Sequence, residues 1–301
     1  MGKSKRNSGP KQDSNRAAKL AQREAERETL SAAPVRPFQG VRAECDLVAL
    51  REFVPSATAP VVVDGRTLTI ATVLPGAVAA LVREENDVVT GFAGLQVQVH
   101  SPNVAADLSS ALRWASTAQP GESLESAGPD GNTAALSEVL DPTLDLEITV
   151  HQDFNWWLPD NADTAPDVAA TVERANQAIM PSARLEGDGL VAAWWVDAGD
   201  KAHLRWVRPE SEDDLMLALA RLHAAGDLTL GEGSRYAGSF RTHGLLVPVF
   251  DLDPEMHPTE WATPATTFGG KLADALAVDA PLTSEQLRSR DGLRGRQVTL
   301  R

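Results

Sequence analysis

Three side chains in one stretch could do chemistry together. Between Gly233 and Asp253 the chain reads GSRYAGSFRTHGLLVPVFDLD. Ser239 offers a hydroxyl beside Gly238, and Asp251 and Asp253 offer two carboxylates spaced i, i+2. Backbone N–H groups and a serine hydroxyl can receive a phosphate. Paired carboxylates suit a hard cation such as Mg²⁺, which takes oxygen ligands. The other reading is structural: a turn at Gly233–Gly238, then a core strand at Leu245–Phe250 with its aspartates at the solvent end.

Seven tryptophans form the second constellation. Trp156-Trp157 follow Asp153 and Asn155 at a strand-to-loop transition, and Trp194-Trp195 sit within an apolar run. In an extended segment neighbouring side chains point to opposite faces. One of Trp194 and Trp195 is therefore expected in the core and the other on the outer face or under a second element. Trp156, Trp157 and Trp195 are the candidate binding residues, as an aromatic groove for a partner. A tryptophan-rich core is the competing reading.

Other chemistries are disfavoured. The six histidines form no HxH, HxxxH or HExxH pair, so no metal site is expected. GxxxxGK[ST] and GxSxG are absent. Gly187-Asp-Gly-Leu-Val-Ala fits GxGxxA, but a strand-like run follows where a dinucleotide site needs a helix. The single cysteine, Cys45, excludes an internal disulfide and points to a cytoplasmic setting.

The Gly238-Ser239 and Asp251-x-Asp253 pattern resembles the signature of the nucleotidyltransferase superfamily. That resemblance implies a metal-dependent nucleotidyl or phosphoryl transferase using Ser239, Asp251 and Asp253 with Mg²⁺. The sequence departs from the pattern in three ways. The intervening segment is apolar and extended, Pro254 follows at once, and no later strand supplies a third carboxylate.

The elements that must position these residues read as follows. A 43% apolar chain of 301 residues can bury a substantial core. No apolar run reaches the ~20 residues of a membrane helix. The net charge of −14 is uneven. Residues 1–30 carry eight basic and four acidic residues, a net +4, and the rest carry 20 against 38, a net −18. Residues 1–35 read as a disordered basic tail and linker, with residues 1–30 a candidate weak contact for RNA or the ribosome.

The body predicts short helices at Glu44–Val54, Ala77–Val82 and Thr133–Leu140. Asp64-Gly65 predicts a hairpin between Val61–Val63 and Thr67–Leu74. Strands are expected near Val88–Gly91, Leu95–His100, Leu146–Val150, Leu190–Val196 and His203–Val207. Longer helices are expected after Ser101-Pro102, after Thr164, after Ser211 and near Phe268–Val278, and a Thr-Ser-Glu-Gln capping box marks one at Thr283. The fold class is α+β, with mixed or antiparallel sheet covered by about six helices. Residues 36–142 and 143–301 share a ββα rhythm that suggests two similar halves, or one continuous domain.

Six blocks resemble a known family: RPFQG from Arg36, ECDLVALREFVPSATAP from Glu44, LTIATVLP from Leu68, GLQVQVH from Gly94, GSRYAGSFRTHGLLVPVFDL from Gly233, and APLTSEQLRSRDGLRGRQVTLR from Ala280. They are similar to an actinobacterial family catalogued as domain of unknown function 5926, over about residues 36–301. The resemblance implies no activity and no catalytic residue. The leading expectation is a non-enzymatic cytoplasmic binding or scaffold protein with an unidentified protein partner, no cofactor and no membrane association.

Overall fold

Asp64 and Gly65 both take positive φ, 50° and 79°, as a two-residue hairpin turn demands. They join β1 (Ala57–Val63) to β2 (Arg66–Ala71) in antiparallel register. This hairpin nucleates the first of two sheets in a computed structural model that describes residues 34–128, 133–158 and 165–299. Apart from Pro34 and Val35, the expected tail lies outside the described residues.

The first sheet adds β3 (Ala80–Glu85), β4 (Val88–Gly94), β5 (Ser123–Leu124) and β6 (Thr149–Val150) in the order β5-β3-β4-β2-β1-β6. Only the β2–β4 pair is parallel. The second sheet holds β7 (Ser182–Arg184), β8 (Ala193–Asp197), β9 (Ala202–Trp206), β10 (Ser234–Thr242), β11 (Leu245–Leu252) and β12 (Gln297–Thr299). Its order is β12-β10-β11-β9-β8-β7, with β12 parallel to β10. Seven α-helices accompany the sheets among the described residues: α1 (Glu44–Glu52), α2 (Val104–Thr117), α3 (Leu136–Val139), α4 (Pro166–Gln177), α5 (Glu212–Ala225), α6 (Ala262–Leu276) and α7 (Ser284–Arg294). The fold is α+β with two mixed sheets.

The second sheet is covered on both faces, which settles the tryptophan pair. Trp194, Val196, Val207, Leu245 and Val247 join a core built with α1, α2, β1 and β2. Trp195, Leu204, Trp206, Leu246 and Phe250 face α5 and α6. Both indoles are therefore buried, each under a different layer. Truncating such a side chain to Ala costs about 3–5 kcal/mol. The first core draws on residues before and after position 142, and residues 36–301 form one compact unit.

Several helix ends follow their residues. Ser211 accepts from the Asp214 N–H at 3.2 Å, and Gly226 closes α5 in the left-handed region. Thr283 and Gln286 form the capping box of α7. Other expectations are corrected. Ala77–Val82 is no helix: a 3-10 turn at Pro75–Ala77 leads into β3, because β4 supplies a hydrogen-bonding partner. Leu95–His100 is no strand: the Gln96 side chain donates to the Leu50 and Val54 carbonyls, so the segment clasps the end of α1. Asn103, not Ser101, caps α2. Only Leu136–Val139 of 133–140 is helical. Thr164 lies outside the described residues, and on α4 only Val172 is buried.

Candidate functional site

Ser239 and Asp251 lie on opposite faces of the second sheet. Ser239 stands across from Pro248, and Asp251 stands three residues further along β11, so strand alternation sends the two side chains apart. The two-residue turn at His243-Gly244 sets that register. Ser239 is 4% exposed and, like the Tyr236 hydroxyl, buried within the sheet. Asp251 Oδ2 accepts from Lys201 Nζ and Arg235 Nη2, each at 2.8 Å. Burial works to raise its carboxyl, and these bonds outweigh it, holding the group below its ordinary value. Asp253 serves a turn: Oδ1 accepts from the Glu255 N–H at 3.0 Å, and its own N–H donates to the Gly233 carbonyl. The expected Gly233–Gly238 turn is corrected as well, since β10 begins at Ser234. Among the described residues no three His, Cys, Asp or Glu side chains are grouped to hold a metal ion.

The tryptophans divide between two places. Trp156 and Trp157 form a 3-10 turn over the outer face of the first sheet, where Trp156 packs on the cluster of Ala71, Leu74 and Phe92. Each indole N–H is held, Trp156 by Ser56 Oγ at 2.9 Å and Trp157 by the Val73 carbonyl at 3.1 Å. Arg83 donates to both backbone carbonyls. His151 stacks on Trp156 with centroids 5.4 Å apart, and its Nε2 lies 2.8 Å from Thr58 Oγ1. Burial pushes the His151 pKa down, against a smaller upward pull from Asp153.

Trp195 belongs to a separate cleft of about 510 Å³ at the β7 edge of the second sheet. Pro181, Arg184, His257, Pro258 and Ala262 line it beside Trp195. Each wall has a reason for its position. β7 pairs with β8 so that Ala183 stands opposite Trp195. Arg184 is tied down by Asp46 at 2.9 Å. His257 and Glu260 cap the 3-10 turn at Pro258–Trp261 reciprocally. Trp195 is 8% exposed, and its buried indole N–H has no hydrogen-bond partner. An unpaired buried donor is costly to the fold. Pro181, His257 and Pro258 carried no sequence signal, since they meet Trp195 only through the fold.

Two mixed six-stranded sheets, one covered on both faces and bearing an edge cleft, define an α+β protein. The chain matches the model of a family of unknown function, DUF5926, over residues 37–301 and belongs to that family. No curated protein and no solved structure matches it.

Proposed function

We propose that this is a non-enzymatic cytoplasmic binding or scaffold protein whose contact surface is the Trp195 cleft. The observation that carries the reading is the Trp195-lined cleft of about 510 Å³ at the β7 edge. An apolar or aromatic partner side chain suits such a recess. The single thiol, Cys45, is buried, which accords with a reducing compartment. Ala262 is half-buried on the cleft wall, so Ala262→Trp fills the recess from its rim. Partners captured by the intact chain are expected to be lost from a folded Ala262→Trp variant. Retention of every partner would reject the cleft as the contact surface.

The basic residues 1–30 support an additional electrostatic contact with RNA or the ribosome. Co-sedimentation should fall when residues 1–35 are removed and should weaken steeply with salt. Equal, salt-insensitive behaviour of the two chains would reject it.

A further inference from the structure

Lys201, His203 and Arg205 alternate with Ala202, Leu204 and Trp206, which are buried against the helices. Alternation places the three basic residues in a row on the opposite face. Asp251 stands across from His203, and Arg235 stands across from Asp251. Lys201 and Arg235 both reach the Asp251 carboxylate, and their side chains remain largely exposed. His203 Nδ1 lies 3.3 Å from Asp251 Oδ1, but at an angle that leaves it buried without a hydrogen bond.

Arg205 has no carboxylate partner among the described residues. Its guanidinium lies 5.5 Å from the centroid of the Phe53 ring. Its cross-strand neighbour is Val249, which brings no charge. A half-buried guanidinium gives up hydration and needs an anion in return. Lys201, Arg205 and Arg235 carry three positive charges against the single negative charge of Asp251, a local excess of +2 on a body of net −18. Burial and the nearby Arg205 and Lys201 charges hold the His203 pKa down against the pull of Asp251.

We propose that Arg205, His203, Lys201 and Arg235 form a binding site for the dianionic phosphate group of a small molecule. The +2 excess matches the phosphate charge, and Arg205 supplies a planar fork of donors. The site is independent of the Trp195 cleft, because Arg205 and Trp195 face opposite sides of the second sheet.

The test is a titration of the full chain with inorganic phosphate and, separately, with glycerol 3-phosphate. The His203 signal, assigned with His203→Gln, is followed by NMR, and the heat of binding is measured alongside. Saturable binding that raises the His203 pKa is expected, weakened about tenfold or more by Arg205→Met. Arg235→Ala, at a solvent-exposed position that leaves the core untouched, should weaken it by a smaller factor. Tighter binding of the monoester assigns the site to an esterified ligand, and equal binding assigns it to free phosphate. The proposal is overturned if chloride at matched ionic strength moves His203 equally, or if both variants bind like the parent chain.

Discussion

Asp46 on α1 accepts a hydrogen bond from Arg184 Nη2 on β7 at 2.9 Å, joining residues 138 positions apart. The pair fastens the wall of the Trp195 cleft to the central core. Burial raises the Asp46 pKa, and Arg184 opposes that rise. Arg184→Ala should cost about 2–3 kcal/mol, less than a fully buried pair because the Arg184 side chain is 28% exposed. The sign of the pH dependence follows. A carboxyl whose folded pKa lies above its unfolded value favours folding at low pH, and that contribution is lost as pH rises through the window above the ordinary carboxylate value. Removing Arg184 raises the folded value further. The deficit should therefore be largest at neutral pH and should shrink in acid, as urea midpoints across a pH series will record. A pH-independent deficit would contradict it.

Gln96 Nε2 donates to the Leu50 carbonyl at 2.7 Å and the Val54 carbonyl at 2.9 Å. These are carbonyls at the end of α1, where a helix lacks its own donors. Gln96→Leu keeps the volume and removes both bonds, so a loss of about 1–2 kcal/mol is expected in denaturant unfolding.

Gly238 has φ of 152°, and a Cβ there would lie 2.5 Å from the Arg296 carbonyl oxygen. The strand β12 passes too close for any side chain. Gly238→Ala should cost about 2 kcal/mol or more and speed hydrogen exchange at the β12 amides before the rest of the sheet. Unchanged exchange at β12 would remove the steric account.

The Cys45 thiol is pushed up to about 12, by burial foremost and also by the charges of Glu44 and Asp46. The thiolate is the nucleophile, so maleimide labelling of the native chain should proceed only as fast as unfolding exposes the residue. Rapid labelling under native conditions would show an open site.

What the sequence made legible was local. Asp64-Gly65 fixed a hairpin, Ser211 and Gly226 bracketed α5, and Thr283 with Gln286 opened α7, since each signal needs only neighbours. The misses came where partners decide. Ala77–Val82 has helix-forming residues, yet Ala80 and Val82 are buried in a strand because β4 lies alongside. Ser239 and Asp251 had suitable types and spacing, but the turn at His243-Gly244 sets their register and parts them. The cleft brings β7 together with the turn before α6, and no local pattern announces that meeting. The Lys201–His203–Arg205 alternation is visible in the sequence, but which face it takes depends on the helices covering Leu204 and Trp206.

The most direct measurement places a photo-crosslinking residue at Thr259 in the cleft and, as a control, at Val62, which is 61% exposed on the first sheet. Irradiation in the native cell should give a discrete protein adduct from Thr259 that disappears when Ala262→Trp is added, and none from Val62. An adduct that survives Ala262→Trp, or a partner crosslinked only from Val62, would contradict the cleft as the contact surface.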